Sequence, residues 1–176
     1  MKRGVALRTL HLYMLATACI ASAFAVAALI EASGHELVVN TSPSMPFGLY
    51  WMACGIATIR RGSVVLFVPP DNVRALIYGR GWLPDGMPLL KTVGGLAGDE
   101  YCVHDGRFVV ADNDIGPVFL RDSQGRPIPQ IDGCRRVGET EFLPVALILD
   151  RSFDGRYMGA VPMRNVLGVG YPLITF

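Results

Sequence analysis

One lysine in the middle of this sequence has the surroundings that amine chemistry needs. Fourteen of the sixteen Lys and Arg residues are Arg, and Lys91 is the only lysine beyond position 2. A lysine amine among apolar groups loses its charge readily, whereas an arginine stays charged. Strand alternation places Lys91 on one face with Leu89 and Val93, where desolvation lowers its pKa. The alternative is a strand-edge lysine whose ammonium reaches water.

A serine between two prolines is the natural partner for such an amine. Ser44 lies in the run SPSMP at positions 42–46, where prolines restrict the backbone on both sides of the hydroxyl. A serine hydroxyl is a weak nucleophile until a base removes its proton, and a neutral amine within hydrogen-bond reach can do so. The pattern predicts a Ser44 nucleophile with Lys91 as general base, and the alternative is an ordinary turn serine.

Other catalytic and binding chemistries find little support. The three histidines, His11, His35 and His104, have no metal-ligand spacing, and nothing around them would hold an imidazole against a particular serine. No Cys-x-x-Cys pair occurs, so the sequence predicts no metal and no cofactor. Beyond residue 30 the acidic residues outnumber Lys and Arg by two, which gives no reason to expect a nucleic-acid partner.

Two of the four cysteines lie where a cross-link would be useful. In an oxidising compartment Cys102 and Cys134 could close a loop and restrict the unfolded chain. Sequence leaves this disulfide open against the alternative of two buried free thiols.

An uncharged apolar run near the start of the chain predicts a membrane segment. Residues 9–30 contain no Asp, Glu, Lys or Arg, and a helix of that length spans the roughly 30 Å of hydrocarbon in a bilayer. Lys2, Arg3 and Arg8 precede it, so residues 1–8 are expected in the cytoplasm and residues 31–176 on the periplasmic side. A cleaved signal peptide is the alternative, because Ala23, Ala25 and Ala27 supply small residues near the end of the run.

The remaining residues predict a single, mainly β domain. Short runs rich in Val, Ile, Leu, Phe and Tyr alternate with Gly, Pro and Asp clusters. A type I′ turn is expected at Asp105-Gly106, a helix over residues 71–78 capped by Asp71, and a long surface segment over residues 113–136. Strands are expected at residues 37–40, 48–53, 63–68, 88–93, 100–104, 107–111, 141–149 and 166–175.

Three segments in this order resemble the conserved boxes of type I signal peptidases, especially their conjugative-transfer (TraF-type) branch. The first runs from Ser42 to Trp51, with the reading SPSMP and then GLYW, and resembles the catalytic-serine box. The second, KTVGGLAGD at positions 91–99, resembles the lysine box. The third, SFDGRYMGAV at positions 152–161, resembles a box that lies beside the dyad.

The resemblance implies a fold, a reaction and residue roles. It implies a single N-terminal transmembrane helix followed by a signal-peptidase-like, β-rich catalytic domain. It makes Ser44 the nucleophile and Lys91 the general base, with Ser42 as an oxyanion donor and Ser152 orienting the amine. Asp154 and Arg156 would form a supporting ion pair. Gly155 and Ala160 stand where the family has serine and proline, so we expect a looser third box.

The resemblance to the conjugative-transfer branch also implies a substrate and a cellular setting. The substrate would be a pilin precursor delivered from the membrane, cut or cyclised during conjugation, with other conjugation proteins as partners. A non-enzymatic periplasmic scaffold is one alternative. A peptidase restricted to self-cleavage is another, and the one Ala-Gly pair, Ala97-Gly98, would be its site.

Overall fold

The computed structural model describes residues 2–55 and 58–176, and the chain divides into two compact units, residues 1–36 and 37–176. The first unit is dominated by helix α1, Lys2–Ala32. Within it, His11–Ala32 is long and apolar enough to cross a membrane, and a signal sequence would meet the same criterion. The predicted span of residues 9–30 lies inside this helix.

The second unit is mainly β, as the sequence predicted. Its described helices are α2, Asp71–Gly79, the single turn α3, Gly155–Met158, and a short 3-10 helix, Met163–Asn165. The described residues form eleven strands, which are β1 His35–Asn40, β2 Gly48–Cys54, β3 Val64–Phe67, β4 Leu89–Gly95, β5 Glu100–His104, β6 Arg107–Val110, β7 Asn113–Pro117, β8 Gly133–Arg136, β9 Glu141–Val145, β10 Val161–Pro162 and β11 Val166–Thr175.

The strands form two sheets. The larger has the order β1-β2-β11-β3-β4-β9-β10, and the smaller has the order β7-β6-β5-β8. Strand β4 is central in the larger sheet, antiparallel to β3 on one side and to β9 on the other. Val93 lies on the same face of β4 as Lys91 and packs in an apolar cluster with helix α2, so Lys91 lies on a covered face of the sheet.

Apolar side chains cover both faces of the larger sheet. On one face, Val73 and Ile77 of α2 pack against Val65, Phe67 and Val93. On the other face lies a cluster composed of Met45, Tyr50, Met52, Val64, Leu66 and Leu90. A third cluster joins the smaller sheet to strand β9 and includes Tyr101, Phe108, Val110, Leu143 and Val145. Burial on both faces holds β3, β4 and β9 in one rigid layer.

The predicted hairpin is confirmed. Strands β5 and β6 pair from Tyr101↔Val110 to His104↔Arg107, which leaves a two-residue turn. Both turn residues have positive φ, 49° for Asp105 and 72° for Gly106. These angles are those that a type I′ turn requires.

Three local predictions were wrong. Asp71 does not cap α2, since Pro70 occupies the N-cap and Asp71 lies in the first turn, 2.9 Å from Arg74. Residues 113–136 are not one surface loop, because their two ends form β7 and β8. Strand β9 ends at Val145 and not at residue 149, because the Ala146 amide donates to the Asp154 carboxylate at 2.7 Å and leaves the ladder.

The disulfide left open by the sequence is present in the structure. Cys102 and Cys134 are opposite each other on β5 and β8, and their Sγ atoms are bonded. The cross-link therefore joins the edge strand β8 to the rest of the smaller sheet.

Candidate active site

A side-chain clamp fixes the backbone that carries Ser44. The buried Asn40 amide donates at 3.0 Å to each of three carbonyl oxygens, those of Ser42, Met45 and Pro46. Its carbonyl oxygen accepts from the Ser42 amide at 3.0 Å, which makes a local turn of the kind that Asn side chains favour. Tyr50 adds a hydrogen bond from its hydroxyl to the Pro46 carbonyl at 2.8 Å. The serine turn is thus held by side chains that lie close to it in the sequence.

Close approach of two strands requires the glycine that follows this turn. Gly48 has φ of 152°, and a Cβ there would overlap the Ile174 carbonyl oxygen of β11. Any side chain would push β2 away from β11, and the serine turn lies directly before β2.

The Ser44 hydroxyl lies beside a second hydroxyl. Ser44 is 4% exposed, and its Oγ is 2.9 Å from Ser42 Oγ. The Ser44 amide N–H also points to Ser42 Oγ, at the longer distance of 3.5 Å. The Ser44 amide and the Ser42 hydroxyl, two possible hydrogen-bond donors, therefore both lie next to the Ser44 hydroxyl.

Lys91 is buried on the face that strand alternation predicted. Its cross-strand partner is Val65 of the apolar core, and the residue is 3% exposed. Nζ donates to Ser152 Oγ at 2.9 Å. Burial lowers the pKa of Lys91 to about 8, Asp154 opposes this shift and Arg156 adds to it. A neutral amine is therefore accessible near physiological pH.

Ser44 and Lys91 line one cleft of about 470 Å³. Ser42 and Ser152 line it as well, so four of the predicted site residues meet there. No hydrogen bond joins Ser44 to Lys91 among the described residues, and the Ser44 hydroxyl is engaged by Ser42 instead. The cleft is otherwise largely apolar, with walls that include Ile77, Trp82, Leu83, Leu89, Phe119, Ile128, Leu149, Phe153 and Tyr157.

Sequence comparison supplies the family. Residues 7–172 match the family described as signal peptidase, peptidase S26. The chain belongs to this signal peptidase family. A plasmid transfer protein TraF of Escherichia coli is 31% identical to this chain over 163 residues. The alignment covers 85% of this chain and 91% of the TraF protein. A conjugal transfer protein TraF of Agrobacterium fabrum is 31% identical and covers 78% and 82%.

A solved signal peptidase I from Enterococcus faecalis overlaps 65% of this chain and 98% of its own, at 20% identity and a TM-score of 0.39. Because that score is low, membership of the signal peptidase family is based on the sequence matches alone.

Asp154 and Arg156 do not line the cleft and are buried behind it. Both are fully buried, with Arg156 Nε 3.8 Å from Asp154 Oδ1. Asp154 caps α3 by accepting from the Arg156 amide at 3.1 Å. Burial raises the pKa of Asp154, although Arg156 and Lys91 oppose this shift. The ion pair is present, and the support of the dyad that the family resemblance implies for it stays a prediction.

Arg156 joins separate parts of the chain through backbone carbonyls. Its guanidinium donates to Asp150 at 2.7 Å, to Ala146 at 3.0 Å and to Ile115 of β7 at 3.3 Å. A planar fork of donors suits this role, which a lysine could not fill. Arg156 therefore ties the smaller sheet to the segment that carries Ser152.

The expected looseness of the third box is absent. Gly155 is buried, and a Cβ there would lie 2.6 Å from the Pro144 carbonyl oxygen and 2.9 Å from a Leu143 methyl carbon. Helix α3 thus packs directly on β9, and the missing serine side chain has no space to occupy. The structure offers no comparable reason for Ala160.

The sequence pointed to neither Asn40 nor the aromatic lining. Asn40 lies two residues before Ser42, the spacing of an Asx turn, and this signal could have identified it. No local signal identifies Trp82 or Phe119, which reach the cleft only in the folded domain, and the third box contains Tyr157 without indicating that its ring lines a cleft.

One cluster of potential metal ligands exists among the described side chains, formed by Glu100, Cys102 and Cys134. Its two cysteines are joined in the disulfide, so the cluster has no thiolates to offer a metal. It does not border the cleft.

Proposed function

We propose that this chain is a serine endopeptidase in which Ser44 is the nucleophile and Lys91 the general base. One observation carries the proposal, namely a buried amine with a lowered pKa that shares a cleft with a serine held on a rigid turn. No carboxylate of the described residues forms an ion pair with Lys91, and a buried lysine of this kind is costly to keep, which favours a catalytic role over a structural one.

In the proposed reaction, Ser44 Oγ attacks the carbonyl carbon of a peptide bond while Lys91 Nζ takes the hydroxyl proton. The Ser44 amide and the Ser42 hydroxyl stabilise the oxyanion. Collapse of the tetrahedral intermediate breaks the C–N bond, and Lys91 returns the proton to the leaving amine. Ser152 holds Nζ throughout.

Substrate binding is expected to engage the dyad. In the free protein the Ser44 hydroxyl bonds to Ser42, and catalytic hydrogen bonds often form only in the substrate complex. Once Ser42 turns toward the oxyanion, the Ser44 hydroxyl is free to turn toward Lys91.

The acyl-enzyme has two fates. Attack by water releases a linear product, whereas attack by the substrate's own amino terminus releases a ring. Both fates use Lys91 in the same way, since it removes a proton from whichever nucleophile attacks.

The relatives suggest the setting. Because those relatives are transfer proteins, we propose a pilin precursor as substrate, processed during conjugation beside other transfer proteins. Helix α1 would anchor the chain in the inner membrane, with residues 1–8 in the cytoplasm and residues 31–176 in the periplasm. A cleaved helix would leave the same domain free in the periplasm.

Precursor processing in cells tests the proposal. Ser44→Ala and Lys91→Arg should each leave a folded protein that accumulates unprocessed precursor. Ser63→Ala is the matched control, because Ser63 is a half-buried serine outside the cleft. Mass spectrometry of the mature product then separates ring from linear chain, since the ring lacks one water.

Normal processing by both Ser44→Ala and Lys91→Arg would instead favour the non-enzymatic scaffold. A cut confined to this chain would favour self-cleavage. The Ala97-Gly98 bond does not line the cleft, and the Gly98 amide is hydrogen-bonded to the Val137 carbonyl at 2.9 Å. This bond would have to leave its turn to reach Ser44.

A further inference from the structure

One wall of the cleft is a segment without regular secondary structure. Residues 119–128 lie between β7 and β8 in the chain. They contribute Phe119, Arg121, Asp122 and Ile128 to the lining of the cleft. The segment folds back on itself through a bridge between Arg121 and Pro127. A wall of this kind needs side-chain contacts to hold its position, because no sheet ladder does so.

Asp122 organises this wall from inside. Its carboxylate accepts from the Gln124 amide and the Arg126 amide, each at 2.9 Å, and from Arg126 Nε at 2.7 Å. Only 5% of the side chain is exposed. Burial alone would raise the pKa of Asp122, but its hydrogen bonds with Arg126 and Gln124 hold it below the usual value. The carboxylate is therefore ionised at neutral pH.

Arg80 reaches the wall from the end of helix α2. Its Nη1 is 3.3 Å from the Asp122 carboxylate, and its Nη2 donates to the Pro127 carbonyl at 2.8 Å. The same guanidinium lies over the Trp82 ring, 5.2 Å from the centroid. Arg80 thus connects two sides of the cleft, and its side chain is 17% exposed.

Aromatic contacts complete the connection on the other side. Trp82 packs on Phe153 at 4.9 Å between centroids, and Phe153 stacks on Tyr157 at 5.3 Å. The Tyr157 hydroxyl accepts from the Phe119 amide at 3.0 Å, where the wall begins. Phe153 directly follows Ser152, which holds Lys91. The contacts therefore run in a ring around the cleft and back to Arg80.

We propose that Arg80 and Asp122 are positioning residues that fix the width of the cleft and so select substrate side chains by size. The proposal deepens the proposed function and rests on it, since both concern the cleft of Ser44. With the pair intact, the wall stays close to the aromatic platform of Trp82, Phe153 and Tyr157. Without it, the wall moves outward and the cleft admits bulkier side chains.

Steady-state cleavage by the full chain in detergent tests this. The substrates are three otherwise identical peptides that span the cut site found by mass spectrometry of the mature product and carry Ala, Leu or Phe before the cut. Asp122→Asn and Arg80→Gln should each raise KM for the Ala peptide roughly tenfold, as expected for a lost charged hydrogen bond. The preference for Ala over Phe should fall by about tenfold or more.

Two further measurements distinguish a positioning role of Arg80 and Asp122 from a direct role in catalysis. The midpoint of the pH profile should stay at the wild-type value, because neither residue touches Lys91. The effect of the double variant should be smaller than the sum of the two single effects, because both substitutions remove the contact between Arg80 and Asp122. Asp71→Asn is the control, since it removes an exposed ion pair with Arg74 from the same helix and should change nothing.

Unchanged KM and unchanged size preference in both single variants would overturn the inference. Peptide binding to Ser44→Ala, followed by tryptophan fluorescence, supplies a readout that needs no cleavage. If wild type cleaves nothing but Asp122→Asn alters this binding preference, the proposed function fails while the positioning role stands. Thermal unfolding of each variant identifies global misfolding, and Arg80→Gln, on a different element, then decides the question.

Discussion

The two halves of the proposed dyad are built in different ways. The Ser44 turn is held by Asn40 and Tyr50, which lie within six residues of the groups they bond. Lys91 depends on Ser152, 61 residues away, and on neighbouring strands from both sides of the chain. The nucleophile is therefore shaped locally, whereas the lowered pKa of the base exists only in the complete sheet.

This contrast explains why the two halves should respond differently to substitution. A change near Ser44 alters geometry and leaves the pKa of Lys91 untouched. A change near Lys91 alters the pKa itself, because burial is the main cause of its shift.

Lys91→Met should give the largest effect. It removes the base but keeps an unbranched chain of similar length, so cleavage should fall by about 10²–10⁴-fold. Unfolding near pH 7 should be no easier than in wild type, because an apolar side chain replaces a buried amine. Peptide cleavage and chemical denaturation of the same sample measure both quantities. Substantial remaining cleavage would remove Lys91 from the mechanism.

The pH dependence of stability should follow from the same residue. The folded pKa of about 8 lies below the ordinary 10.5, so between these pH values the unfolded chain binds more protons than the folded one. The unfolding free energy of wild type should therefore rise relative to Lys91→Met between pH 8 and 10.5, by about 3 kcal/mol at most. Urea unfolding at several pH values measures this. A flat difference would mean that Lys91 is hydrated.

Ser152→Ala should weaken the lysine half without removing it. Loss of the hydrogen-bond acceptor for Nζ costs about 1–3 kcal/mol, or roughly 10–100-fold in cleavage. Because the charged amine loses more from this change than the neutral one, the pH midpoint of cleavage should move lower. The pH profile of kcat/KM checks the direction, and a higher midpoint would contradict it.

Asn40→Leu tests the serine half at similar size and without adding a charge. A leucine side chain cannot donate to the three carbonyls that the Asn40 amide serves, so the turn should loosen. Cleavage should fall about tenfold through kcat, with the pH midpoint unchanged. A shifted midpoint would show that the two halves are not independent, which would break the comparison drawn above.

Removal of the disulfide should have the smallest effect on the site. Cys102→Ser with Cys134→Ser should lower the unfolding free energy by about 2–5 kcal/mol, because a closed loop is lost from the unfolded chain. Cleavage at low temperature should stay near wild type, since neither cysteine lines the cleft. Denaturation and cleavage assays on one preparation compare the two quantities.

How much the sequence could predict follows the same division between local and distant contacts. The Asp105-Gly106 hairpin and the buried face of β4 were predicted correctly because their signals lie within a few residues. Strands β7 and β8 were missed because each is short and forms only through pairing with partners elsewhere in the smaller sheet. Strand β9 was predicted too long, since Asp154 intercepts the Ala146 amide from eight residues away.

The site shows the same limit. The motifs around Ser44 and Lys91 point to the groups that we propose to be reactive, because their chemistry depends on residue type. The wall at residues 119–128 could not be predicted, since Arg80 and Asp122 are 42 positions apart and each resembles an ordinary surface charge in sequence.

The lowered pKa of the buried amine also sets the fraction of molecules in which Lys91 is unprotonated. With a pKa of about 8, Lys91 is mostly protonated at pH 7, and only a minority of molecules carries the free base. In the proposed mechanism this free-base fraction limits cleavage at neutral pH, and cleavage should rise as the pH approaches 8.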